Sequence, residues 1–123
     1  MSVALIILGH GSSNPAATEQ FHELVAQLRE RRDERVYPAF MELAEPGLAG
    51  AVADAVAAGA DEIVVQPCFL FDGNHIRRDI PEMLAELAAG RPAVTFRFGR
   101  PLGPDARVAD ILLERAGEAT CLS

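Results

Sequence analysis

Val3-Ala4-Leu5-Ile6-Ile7-Leu8, followed at once by Gly9-His10-Gly11-Ser12-Ser13-Asn14-Pro15, decides how this chain folds. An unbroken aliphatic run without polar alternation fits a strand buried on both faces. The glycine-rich corner then turns the backbone, Asn14 is placed to cap a helix, and Pro15 suits its first turn. Phe21, Leu24, Val25 and Leu28 recur at helical spacing, and Arg29 to Arg35 forms a charged helix end and loop.

The same unit of apolar run, corner and helix recurs three more times. A second strand is expected at about Val36 to Met41. Glu42-Leu43-Ala44-Glu45 follows, and Pro46 opens a helix with Leu48, Val52 and Val56 on one face and Gly59 as its stop. A third strand runs from about Glu62 to Gln66, then Pro67 and a long junction from Cys68 to Arg78. Asp79 and Glu82 have capping-box spacing around Pro81, and Met83, Leu84 and Leu87 carry that helix to Gly90. The fourth strand is expected at about Ala93 to Phe98. Its corner is Gly99-Arg100-Pro101-Leu102-Gly103, and Pro104 leads into a last helix carrying Val108, Ile111, Leu112 and Leu113.

Strands alternating with helices predict an α/β fold of three layers, α/β/α, around a four-stranded parallel sheet. Right-handed crossovers give the expected strand order 2-1-3-4. The 123 residues are expected to form one domain, 1–123, with one core and no second lobe. A large ligand must then lie on an open face or between two copies.

Composition narrows the function. Half the residues are hydrophobic and 24% are charged, which argues against a disordered chain. No run is long and apolar enough to span a bilayer. The first apolar run is short and lacks a preceding positive cluster, so no secretory signal is expected. Cys68 and Cys121 match neither a disulfide framework nor a metal-cluster spacing, so a cytoplasmic protein with free thiols is expected. The net charge of −7 argues against nucleic acid as partner. All eleven basic residues are Arg, and an anionic ligand would need a local group of them.

In open parallel sheets, ligands bind beyond the carboxyl ends of the strands, where the strand order reverses. For order 2-1-3-4 that place lies between strands one and three, whose corners carry His10 and His75. Glu42 follows strand two on the same edge. Two imidazoles and a carboxylate suit a borderline divalent metal and can accept protons near neutral pH. Each also has a plain structural reading. His10 between glycines fits a solvated loop, His75 in Asp72-Gly73-Asn74-His75 fits a turn, and Glu42 fits favourable helix electrostatics. Their convergence on one edge selects the functional reading. His22, inside the first helix beside Phe21, reads as a structural or surface residue.

Gly9 and Gly11 let the backbone turn sharply beside a ligand. Ser12, Ser13 and the following helix start offer either an anion site or a plain strand-to-helix corner. The run is neither a phosphate-binding loop nor a dinucleotide fingerprint. Cys68 reads as a buried structural thiol rather than a soft ligand. Arg77 and Arg78 adjoin His75, and Arg97 and Arg100 flank the fourth corner. These serve as solvated surface or as carboxylate recognition.

Leu8-Gly9-His10-Gly11-Ser12 resembles the opening of the CbiX/SirB family of sirohydrochlorin chelatases. Pro67-Cys68-Phe69-Leu70-Phe71-Asp72-Gly73-Asn74-His75-Ile76-Arg77-Arg78-Asp79-Ile80-Pro81 resembles its second signature, and Phe40-Met41-Glu42-Leu43-Ala44-Glu45-Pro46 its intervening block. The likeness spans nearly the whole chain. It implies a chelatase-like α/β domain of the short form, acting as a homodimer. It implies insertion of a divalent metal into an acidic tetrapyrrole such as sirohydrochlorin, without ATP or a required cofactor. The metal is the substrate, with cobalt first and iron or nickel also admitted. His10 and His75 are implied to contact the metal and assist proton removal, with Glu42 as acidic helper. A carboxylate-rich substrate on an acidic chain further predicts a cleft lined by Arg77, Arg78 and Arg100, with Gly11 and Ser12 also at the substrate. Cys68 departs from the aromatic that is common there, and neither a His-rich tail nor an iron–sulfur cysteine set is present. The competing reading is a non-catalytic module that binds metal or tetrapyrrole. A hydrolase ranks last, because no Gly-x-Ser-x-Gly elbow occurs.

Overall fold

Four strands form one parallel sheet in the order β2-β1-β3-β4: β1 (Val3–Gly9), β2 (Arg35–Phe40), β3 (Glu62–Pro67) and β4 (Thr95–Phe98). The computed structural model describes residues 2–32, 35–74 and 78–122. β1 is central, paired from Ala4↔Arg35 to Gly9↔Phe40 on one side and from Val3↔Glu62 to Leu8↔Pro67 on the other. An aliphatic strand is suited to that place because both of its faces are largely covered.

Side chains alternate across the sheet. Ala4, Ile6 and Leu8 join Ile63 and Val65 on one face, against Leu48, Ala51, Val52 and Ala55 of α2 (Leu48–Ala57) and Ile80 and Leu84 of α3 (Ile80–Ala89). Ile7 faces the other way, with Val36 and with Val25 of α1 (Pro15–Arg31). The result is the expected three-layer α/β/α arrangement. Full burial of an aliphatic side chain contributes about 1.5–3 kcal/mol. Ile6, Leu8, Leu48, Ile63 and Ile80 are each fully buried, so this face outweighs any single helix cap, worth about 1 kcal/mol.

Local signals set the helix ends, with two corrections. Asn14 caps α1 as expected, its Oδ1 accepting the Ala16 N–H at 3.0 Å. Asp79 does not cap α3. Its backbone is already helical (φ −68°, ψ −44°) within a π-type turn at Arg78 and Asp79, whereas a capping residue needs extended backbone. Pro46 does not open α2 either. Its carbonyl accepts the Phe40 N–H at 2.9 Å and closes the β2–α2 loop, leaving Gly47 at the helix start. β2 ends at Phe40, one residue short of expectation. β4 starts at Thr95 rather than Ala93, because the Val94 N–H is turned back onto the Arg91 carbonyl at 3.0 Å.

α4 (Ala106–Gly117) begins at Asp105, whose carboxylate accepts the Arg107 N–H at 2.9 Å. The helix carries the expected apolar residues but buries none of them. Ile111, Leu112 and Leu113 are 52%, 63% and 73% exposed. Among the described residues no helix is long and apolar enough to cross a membrane.

Candidate active site

The parallel ladder runs past the strand ends and fixes the corners beyond them. The Met41 N–H donates to the Gly9 carbonyl at 2.9 Å, Glu42 N–H to His10 at 3.2 Å, Cys68 N–H to Leu8 at 2.8 Å and Gly99 N–H to Val65 at 2.9 Å. The corners after all four strands are therefore held along one rim.

That locking brings together two of the expected residues. His10 Nε2 stands 3.5 Å from Glu42 Oε1, with both side chains more than half exposed. An exposed pair of this kind adds at most about 1 kcal/mol to folding. Its place at the sheet's carboxyl edge, rather than any stabilisation, is what marks it. The His10 ring also faces Phe69, in the corner after β3, at 5.9 Å between centroids. Gly11 makes the approach possible. It has φ +100°, and a Cβ there would overlap the Glu42 carbonyl oxygen.

Ser12 has a defined local role. Its Oγ accepts the Asn14 N–H at 3.0 Å and shapes the turn into α1. Together with His10, Gly11, Thr18, Phe21 and Phe40 it lines a hollow of about 130 Å³, room for an ion and its waters but not for a macrocycle. His22 is an exposed residue of α1, edge-on to Phe40 at 5.7 Å, in keeping with its structural or surface reading.

A larger hollow, about 580 Å³, lies between the corners after β3 and β4 and is lined by Phe71, Asp72, Arg100, Leu102 and Asp105 among others. The Leu102 N–H donates to the Phe69 carbonyl at 2.9 Å and joins these corners. Gln66 reinforces the joint, its Nε2 donating to the carbonyls of Pro67 at 3.0 Å and Arg100 at 2.6 Å. Gly99 leaves room for that amide, since a Cβ there would collide with it. Neither Gln66 nor Phe69 was singled out from the sequence. A lone Gln in an aliphatic strand was the available signal for the first, and membership of the Pro67–Pro81 signature for the second.

The expected arginines separate by position. Arg100 is exposed and borders the large hollow, and Arg78 is exposed in the turn that leads into α3. Arg97 is not on the rim. It points from β4 to Glu62 at 3.6 Å, back along the sheet. Burial pushes the half-buried Cys68 thiol up, which keeps it protonated and fits a structural thiol. At the β4–α4 corner, hydrogen bonds from the Arg107 side chain and backbone hold the Asp105 carboxyl well below the usual carboxylate range. His75 and Arg77 lie outside the described residues. Among the described residues no three His, Cys, Asp or Glu side chains form a metal-holding group. His10 and Glu42 by themselves do not make such a group.

The sirohydrochlorin cobaltochelatase of Methanopyrus kandleri is 33% identical over 95% of this chain and 96% of its own length. The chloroplastic sirohydrochlorin ferrochelatase of Arabidopsis thaliana is 35% identical, with 97% of this chain covering 52% of that protein. Among solved structures, the sirohydrochlorin chelatase SirB from Bacillus subtilis subspecies spizizenii, in complex with cobalt, superposes with a TM-score of 0.92 at 28% identity. There 96% of this chain matches 51% of the other. The chain therefore spans nearly all of the archaeal relative and about half of the plant and Bacillus proteins. The CbiX family model matches residues 4–119, and with these relatives it shows that the chain belongs to the CbiX family.

Proposed function

We propose that this protein is a sirohydrochlorin chelatase, inserting a divalent metal into the tetrapyrrole as a lyase without ATP. The observation that carries the reading is the His10–Glu42 pair, held 3.5 Å apart at the carboxyl edge of the sheet. It is supported by relatives that are named sirohydrochlorin cobaltochelatase and ferrochelatase. Cobalt is the first metal to test, with iron and nickel as alternatives, because imidazole and carboxylate donors accept all three.

Insertion exchanges one M²⁺ for the two pyrrole N–H protons, with no change of oxidation state. A neutral imidazole offers one lone pair, so it cannot hold the ion and take a proton at the same nitrogen. Two histidines and a carboxylate divide the work. His10 and His75 deliver the ion, and Glu42, within reach of the His10 ring, accepts a proton as the macrocycle releases it. Arg77, Arg78 and Arg100 receive the substrate carboxylates, with Gly11 and Ser12 at the same edge. Residues 1–123 act as one chelatase domain, and the working unit is a homodimer whose two rims face one macrocycle. The separate thiols of Cys68 and Cys121 suit the reducing cytoplasm.

The test follows the visible spectrum of sirohydrochlorin mixed with Co²⁺ and enzyme, against the rate without protein. Wild-type protein accelerates insertion, whereas His10→Ala and His75→Ala each lower the rate at least tenfold. Tight tetrapyrrole binding without acceleration would instead make the chain a carrier.

A further inference from the structure

Leu43 follows Glu42 in the β2–α2 loop with φ +64°, a left-handed backbone. That region disfavours any side chain with a Cβ, and a bulky apolar one most of all. The described glycines with positive φ are Gly11, Gly59 and Gly103, so this chain otherwise gives the conformation to glycine. Nor does core packing explain the leucine. It is 66% exposed and belongs to neither buried cluster.

Its place is specific. Leu43 borders the hollow of its own loop, about 390 Å³, and a second hollow of about 510 Å³ shared with Ser12, Ser13 and Thr18. It therefore stands as an apolar ridge between the two hollows, in the corner that carries Glu42. An exposed leucine in an unfavourable conformation, next to the His10–Glu42 pair, is the kind of strained residue that clusters at ligand clamps.

We infer that Leu43 is a substrate-contact residue, its exposed side chain packing against the apolar face of the tetrapyrrole ring while His10 and Glu42 address its centre. This rests on the chelatase reading and extends it. The arginines recognise the charged periphery of the substrate, and Leu43 recognises its planar apolar body. A small carboxylate-bearing molecule would satisfy the first and gain nothing from the second.

The experiment titrates wild-type, Leu43→Asn and Leu43→Ala proteins with metal-free sirohydrochlorin, and separately with Co²⁺ alone. Asn tolerates the left-handed region, so Leu43→Asn keeps or raises the thermal midpoint. Both variants are expected to raise the Kd for sirohydrochlorin about tenfold, the scale of one apolar side chain's burial. Their Co²⁺ affinity should not move. An unchanged Kd for the tetrapyrrole overturns the inference. So does a parallel loss of Co²⁺ affinity or of thermal midpoint in Leu43→Asn, which would make the residue structural. A shift in oligomeric state by light scattering overturns it too, by assigning Leu43 to a subunit contact. Wild-type protein that binds sirohydrochlorin but inserts no metal would defeat the chelatase reading while leaving the contact intact.

Discussion

Gly11 and Glu42 meet through their backbones, and the proposed chemistry depends on that meeting. Only a residue without a Cβ fits there, and only glycine takes φ +100° freely. Gly11→Ala must shift the Glu42 carbonyl and swing the carboxylate from His10. The strain is about 1–3 kcal/mol, so a lower thermal midpoint and a loss of insertion should appear together. Calorimetry and the spectral assay check this; an active, equally stable Gly11→Ala would show that the close approach is dispensable. Cys68 gives a second prediction at this scale. Burial raises its folded pKa, so the stability it contributes is fully present below the unfolded thiol's pKa. That stability is lost as pH rises through the folded value. At neutral pH iodoacetamide should therefore label exposed Cys121 quickly and Cys68 slowly, with Cys68 labelling rising only in alkaline solution, as mass spectrometry can follow. Much of this scale was legible beforehand. His10 comes two residues after one apolar run and Glu42 directly after the next, so the expected strand order placed them on one edge. The backbone of Leu43 was not legible, because leucine carries no preference for a left-handed turn.

At the scale of elements, one side chain reinforces the backbone-bonded joint between the corners after β3 and β4. Gln66 projects from β3 and donates to the carbonyls of Pro67 and Arg100. Gln66→Leu is close in size but leaves both carbonyls without that donor. The Arg100 corner should loosen, raising KM for sirohydrochlorin severalfold while kcat changes little, since the His10–Glu42 pair lies at the other end of the rim. A fall in kcat at constant KM would show that the joint serves the reacting centre instead. The strands themselves were readable because each is a short apolar run between turn formers. The helix starts were less so. Capping-box spacing at Asp79 and Glu82 holds in sequence, yet the chain arrives at Asp79 already helical, and spacing carries no information about incoming backbone. Pro46 misled for a related reason: a proline before a helix fits the first turn and the preceding loop equally well, and here a hydrogen bond to β2 decides.

At the scale of the whole molecule, α4 is the surface that the proposed dimer would cover. Its Ile111, Leu112 and Leu113 are more than half exposed, although the helix has the apolar periodicity of one that packs. Periodicity told that the helix has an apolar face but not which surface covers it. Charge raises the stakes of pairing. Each chain carries −7, so two copies carry −14, and a carboxylate-rich substrate approaches against that field until ionic screening takes over beyond about 8 Å. In the proposed dimer, two facing rims would bring an Arg100 from each copy to the substrate and oppose the net charge there. If α4 forms the seam of the proposed homodimer, Ile111→Ser combined with Leu112→Ser should give the 13.2 kDa mass of one chain in light scattering, with the far-ultraviolet circular dichroism retained. Metal insertion should fall with dimer content and recover partly at high protein concentration, as mass action requires. A double variant that stays dimeric and active would move the seam elsewhere, and a wild-type protein that is monomeric at full activity would remove the need for a second rim altogether.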